Sequence, residues 1–123
     1  MPDYAPQGWR TVTPRIFVKD HHGLIAFVKR VFGATGDDEP NRPTVLTIGD
    51  SMIMVSGDDF RGPMTACLYV YVDDVDGTWR RAVDAGATSI EAPQKMPYGD
   101  RRATITDGWG NVWQIARHRG TRE

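Results

Sequence analysis

The chain has 123 residues, 40% apolar and 25% charged, with a formal net charge of −1, a composition that supports one domain with a core of its own. Its basic residues form only short clusters, Arg101 with Arg102 and Arg117 with Arg119 and Arg122; a nucleic-acid binder needs a basic face or stripe, so no nucleic acid is expected as a partner. Cys67 is the only cysteine, which excludes an intrachain disulfide and a zinc-thiolate cluster.

No apolar run approaches the roughly 20 residues that cross a bilayer, so no membrane partner is expected. The start, Met1-Pro2-Asp3-Tyr4, lacks the basic and apolar segments of a signal peptide, and a cytoplasmic location is the expectation.

In chain order, a Pro- and Gly-containing arm leads into a strand over Thr13 to Lys19, with Pro14 at its start. Asp20 is a candidate N-cap. Leu24, Phe27, Val28 and Val31 then fall at i, i+3, i+4 and i+7, one helical stripe that Gly33 ends. A polar loop from Asp37 to Pro43 precedes two strands, Thr44 to Ile48 and Ser51 to Ser56, joined at Gly49-Asp50. Gly57 to Pro63 reads as a linker carrying Phe60. Beyond it come a strand over Ala66 to Val72 and a helical stripe of Val75, Trp79, Ala82 and Val83 ended by Gly86. A short strand follows over Ala87 to Ile90, then a Pro-rich turn. Strands over Ala103 to Thr106 and Val112 to Ala116 close the chain.

The second half repeats the first. Asp20 and Asp74 are 54 positions apart, as are Thr13 and Cys67, while Gly33-Ala34 and Gly86-Ala87 are 53 apart. Self-similarity on this scale marks a duplicated supersecondary unit, here β-α-β-β-β. The expected organisation is a single domain with module one at about 11–57 and module two at about 64–118.

Residues i and i+2 of a strand share a face. Ile16, Val18, Leu68, Val70, Val72, Trp113 and Ile115 should lie under the helices. Phe17, Met52, Met54, Cys67, Tyr69, Tyr71 and Gln114 then collect on the other face. An apolar, aromatic and lightly polar surface is the form a small-molecule site takes. The same composition also suits burial against a second sheet or a partner subunit.

The ordered set of segments resembles the vicinal oxygen chelate superfamily of glyoxalase I, bleomycin-resistance proteins and extradiol dioxygenases, from about Thr13 to His118. Its carriers are Val12-Thr13-Pro14, Phe27-Val28-Lys29-Arg30-Val31-Phe32-Gly33-Ala34, Ile48-Gly49-Asp50-Ser51-Met52-Ile53-Met54, Tyr71-Val72-Asp73-Asp74-Val75-Asp76 and Tyr98-Gly99-Asp100-Arg101. Asp107-Gly108-Trp109-Gly110-Asn111-Val112-Trp113-Gln114-Ile115-Ala116 completes the set. The sequence looks closest to the PhnB-like branch. The resemblance implies an α+β fold of two tandem βαβββ modules, a mixed sheet curled around a cavity, and a homodimer.

It also implies four positions for a divalent metal, which by register are Thr13, Met54, Cys67 and Gln114. Of these only Gln114 is a familiar oxygen donor, and the set lacks the three His or carboxylate ligands of a catalytic site. The expectation is therefore no metal and no cofactor. His21 and His22 read as a solvated first helical turn, and His118 either as a residue at the cavity mouth or, with Arg117 and Arg119 beside it, as a fraying end.

Cys67 reads as a small hydrophobe, with no base placed beside it for nucleophilic chemistry. Asp100 and Arg101 read either as a hydrogen-bonded turn or as polar groups at the cup's rim. Trp109 reads as a lid or as loop packing.

Together these point to a small-molecule-binding protein taking a flat, aromatic ligand. Its candidate contacts are Phe17, Met52, Met54, Phe60, Cys67, Tyr69, Tyr71, Arg101, Trp109 and Gln114. The alternative is a metal-dependent or acid–base lyase, isomerase or dioxygenase of the same superfamily. Whether the chain is an enzyme stays open at this level.

Overall fold

The computed structural model describes residues 4–38, 42–59 and 62–119. Two sheets carry two helices on one side. The first sheet holds β1 (Arg15–Phe17), β2 (Thr44–Ile48) and β3 (Ser51–Ser56) in the order β1-β3-β2. The second holds β4 (Cys67–Tyr71), β5 (Thr88–Lys95), β6 (Asp100–Thr106) and β7 (Val112–His118) in the order β4-β7-β6-β5. In each sheet the first strand pairs in parallel with the last, β1 with β3 and β4 with β7, and the remaining pairs are antiparallel. The duplication seen in the sequence is thus a duplication of topology.

The helices repeat the same cap. Helix α1 (His21–Phe32) starts at Asp20, whose carboxylate accepts the Gly23 N–H at 3.2 Å. Helix α2 (Val75–Asp84) starts at Asp74, which accepts the Gly77 N–H at 3.0 Å. A Cβ on either glycine would lie 2.3 Å from the capping carboxylate, so the Asp-x-x-Gly pairing is a steric requirement as well as a hydrogen bond. Gly33 closes α1 in the left-handed region at φ 68°. Arg81 of α2 donates two hydrogen bonds, at 3.1 and 3.3 Å, to the Val31 carbonyl near the end of α1 and so ties the helices together.

The apolar stripe of α1 buries Leu24, Phe27, Val28 and Val31 against Ile16, Leu46, Ile53 and Val55. Val75 and Ala82 of α2 join the same core with Ala103, Ile105, Trp113 and Ile115. The face assignments made from alternation hold here: Ile16, Val18, Trp113 and Ile115 are buried.

Four expectations need correction. The expected first module of four strands has three, among the described residues. Its fourth is reduced to a single bridge, Thr35 to Thr47. Gly36 passes so close to β2 that a Cβ there would lie 2.1 Å from the Val45 carbonyl oxygen, and the Gly- and Asp-rich segment after α1 is poor strand material.

The strand expected over Ala87 to Ile90 instead runs to Lys95, with register shifts on both sides of Glu91. Its edge position and these irregularities accommodate Pro93. β6 starts three residues early, at Asp100. β7 runs on to His118, which is therefore a strand residue paired with Asp100 and not a frayed end.

Candidate ligand-binding site

Alternation in β4 turns Cys67, Tyr69 and Tyr71 away from the helices. The registers then set out the rest of that face. Tyr69 lies beside Gln114, Gln114 beside Thr104, and Thr104 beside Glu91. Tyr71 lies beside Ala116, Ala116 beside Arg102, and His118 beside Asp100.

Asp100 organises the face. Its side chain is 1% exposed. One oxygen accepts the Tyr69 hydroxyl at 2.6 Å and the Tyr71 hydroxyl at 3.1 Å. The other lies 2.8 Å from Nδ1 of His118. The two tyrosine rings meet edge to face at 5.4 Å, and Ala116 beneath the network is fully buried.

A second layer continues outward. Arg102 donates to the Tyr98 hydroxyl at 2.9 Å and forks onto Glu91 at 2.9 and 3.0 Å. Thr104 also donates to Glu91, at 2.8 Å. Yet Tyr71 and Tyr98 remain 57% and 55% exposed and Tyr69 38%. The phenol oxygens are fixed while the ring faces stay open.

The electrostatics follow. The Tyr69 hydroxyl, then His118 and Tyr71, hold the Asp100 carboxyl below the usual carboxylate range against the opposing effect of burial. Burial, then the Asp100 carboxylate, pushes the Tyr69 phenol well up, so it stays a donor. The Arg102 fork likewise lowers Glu91.

A carboxyl whose pKa is depressed in the folded state adds stability above its unfolded value of about 4 and loses it as pH falls through the folded value. Thermal unfolding followed by circular dichroism should therefore show Tm level from pH 7 to about 5 and falling steeply below about 4. Asp100→Asn should shed part of that fall; an unchanged acid slope in the variant would assign it to other carboxylates.

The sequence-derived candidates separate into groups. Met52, Tyr69 and Tyr71 line one groove of about 760 Å³ at the edge strand β4, together with Arg10, Pro14 and the turn at Gly49-Asp50; the groove wraps that edge and reaches the helix-facing side chains of Leu68, Val70 and Val72. Gln114 is half-buried beside Tyr69, and Cys67 is exposed two residues before it. Phe17 and Met54 belong to the first sheet. Phe17 is 8% exposed, with the Arg15 guanidinium 4.7 Å from its ring centroid and the chain at Met64 bridged to it.

Arg101 and Trp109 lie elsewhere. Arg101 faces α2, where it forks onto Asp76 at 2.7 and 2.9 Å. Trp109 packs edge-on to Phe27 at 5.8 Å and donates to Asp20 at 3.3 Å, which makes it a brace on α1 and not a lid. Phe60 lies outside the described residues.

Alternation missed Tyr98, Arg102, Glu91 and Thr104 altogether, and it offered Asp100 and His118 only as rim positions, not as partners of the two tyrosines. The Asp100-x-Arg102-x-Thr104 spacing could have announced one strand face. Which face it shares depends on pairing with β7, and sequence does not show that.

The four positions that the resemblance implies for a divalent metal do not fit one. Thr13, Met54, Cys67 and Gln114 supply no imidazole and no carboxylate. The register partner of Met54 is Arg15, a fixed cation, and a neighbouring positive charge opposes a metal ion.

The sequence model of the Glyoxalase/Bleomycin resistance protein/Dioxygenase superfamily matches residues 10–115, and the chain belongs to that superfamily. Among solved structures, the chain is similar to a glyoxalase/bleomycin resistance protein/dioxygenase family enzyme from Burkholderia phytofirmans PsJN, at 27% identity and TM-score 0.73, covering 85% of this chain and 94% of that one. TioX from Micromonospora sp. ML1 shares the fold at 24% identity and TM-score 0.72, over 87% of this chain and 98% of that one. The fosfomycin resistance protein FosX from Mesorhizobium loti does so at 18% identity and TM-score 0.67, over 91% and 92%. An uncharacterised protein of Mycobacterium tuberculosis, Rv0887c, is 25% identical over 86% of this chain and 73% of its own length.

Proposed function

We propose that this chain is a small-molecule-binding member of its superfamily that works without the family's metal, taking a flat aromatic ligand against Tyr69 and Tyr71. The observation that carries the reading is the buried Asp100 carboxylate, which holds both phenols while leaving their rings exposed. Rings ordered before a ligand arrives lose little entropy on binding, which favours affinity. His118 adds polarity: its Nε2 is buried and has no hydrogen-bond partner among the described residues, so that nitrogen's hydrogen-bonding capacity is unspent.

The neighbouring resistance protein FosX and the bleomycin-resistance members in the family's description suggest antibiotic-like ligands as a starting set. Fluorescence titration with bleomycin and with 9-aminoacridine should give saturable binding of at least one. Tyr69→Ala should weaken it by about tenfold, the scale of one aromatic contact. Saturable binding with equal affinity in the variant would remove Tyr69 from the site.

The proposal places the chain in the PhnB-like branch, in the cytoplasm and as a homodimer. Sedimentation should then report about twice 13.8 kDa, and a monomer at micromolar concentration would contradict the dimer.

A second reading, an acid–base enzyme, is favoured by one feature, the His118 imidazole oriented by Asp100 at 2.8 Å. That pairing is how a general base is commonly held. Under this reading His118→Gln abolishes turnover and spares ligand binding.

A further inference from the structure

The first turn of α1 holds a group that the sequence analysis leaves as solvated histidines. His21 and His22 are adjacent, with ring centroids 4.1 Å apart. The loop after the helix brings Asp38 back to them, hydrogen-bonded to Nδ1 of His22. One donor atom from each of His21, His22 and Asp38 lies within 4.8 Å of the other two. From this juxtaposition we infer that His21, His22 and Asp38 form a binding site for a zinc-class divalent transition metal, separate from the four positions that the fold would use.

Three further observations support the site. Among the described residues, the buried Nδ1 of His21 has no hydrogen-bond partner, so one imidazole nitrogen is uncommitted. Gly57 packs against that nitrogen, where a Cβ would lie 3.2 Å away, so a side chain at that position would crowd the ring. Thr44, itself 1% exposed, donates to the second oxygen of Asp38 at 3.2 Å and orients the carboxylate from behind. Support of a metal-binding carboxylate from such an outer partner is common at built sites.

The donor chemistry selects the metal. Two imidazoles and one carboxylate suit zinc, cobalt(II) and nickel(II), whereas magnesium and calcium prefer all-oxygen shells. Bond lengths near 2.1 Å put tetrahedral donors about 3.4 Å apart. The ion would replace the proton of the His22–Asp38 hydrogen bond, and the donor atoms, now up to 4.8 Å apart, would draw together around it. The N-terminal end of a helix opposes a cation, and the Asp38 charge with the Asp20 cap beside it offsets that. Water completes the shell, and the bound metal clips the start of α1 to the connection before β2.

The test uses the untagged, chelator-stripped full chain, with calorimetric titration of zinc and visible absorption of cobalt(II). One equivalent should bind, the cobalt spectrum should be that of a low-coordinate site with nitrogen donors, and zinc should raise Tm by a few degrees. His22→Ala and Asp38→Asn, both at solvent-accessible side chains, should each weaken binding at least tenfold while leaving the circular dichroism spectrum unchanged. Cys67→Ser and His118→Gln should leave binding as it is. Absence of stoichiometric binding would overturn the inference. So would binding that survives both His22→Ala and Asp38→Asn, or that is lost in Cys67→Ser or His118→Gln.

Discussion

Asp100→Ala should lower stability by about 3 kcal/mol and abolish ligand capture on the tyrosine face. The carboxylate accepts from Tyr69, Tyr71 and His118, and its side chain is 1% exposed, so water does not readily replace it. Hydrogen bonds to a charged group contribute about 1.5–3 kcal/mol each, and their sum falls short of additivity because the outer phenols can turn to solvent. For a domain of this size the loss corresponds to a fall in Tm on the order of 10 °C. Asp100→Asn is the informative companion. The amide keeps one acceptor but offers a donor to partners that themselves donate, so it should recover only part of the stability. If Asp100→Ala instead melts like the parent chain, the network contributes nothing to the fold, and its role as the organiser of the face fails with it.

The second large effect lies under the helices. Trp113 is fully buried, packs on Phe32 at 5.0 Å between ring centroids, and donates its indole N–H to Asp107 at 2.8 Å. Asp107 also accepts the backbone N–H groups of Trp109 and Asn111 and the Asn111 side-chain amide. Asn111 in turn accepts the Ala66 N–H at 2.9 Å, just before β4. One indole therefore fills the core and anchors the loop that sets the start of β4. Trp113→Ala removes both contributions, and large-to-small replacements of this kind cost about 3–5 kcal/mol. Against a total stability of about 5–15 kcal/mol, that leaves the variant marginal. Trp113→Phe keeps most of the volume and loses the donor, so its cost should be about 1–2 kcal/mol. Denaturant midpoints for the pair separate packing from hydrogen bonding. Equal midpoints for the alanine variant and the parent would contradict the buried position of Trp113.

Local signals carried the fold a long way. The hairpin strands Thr44–Ile48 and Ser51–Ser56 match the sequence reading residue for residue, because alternation and the turn at Gly49-Asp50 agree. The caps at Asp20 and Asp74 were legible for the same reason: cap, apolar stripe and the glycine that follows the helix are all close in sequence.

Non-local pairing decided the rest. Pro93 reads as a turn until its strand is known to be an edge with bulges. Asp100 and Arg101 are neighbours whose roles part by a single step of register, which sends Asp100 to the tyrosines and Arg101 to α2. Tyr69 and Tyr71 could be placed on one face by alternation alone. That Asp100 and His118 stand opposite them depends on β6 and β7 pairing beyond Ala103 and Ala116, and those residues carry weak strand signals.

If a small molecule binds the tyrosine-bearing face of the four-stranded sheet, the amides of that face should report it. Amide chemical shifts of the labelled chain, followed through titration with bleomycin or 9-aminoacridine, test it most directly. Saturating shifts are expected on β4, on β7 around Gln114 and His118, and on Asp100 to Thr104. Shifts that stay absent across the titration, or that gather on the helix side around α1 and Trp109, would contradict binding at that face.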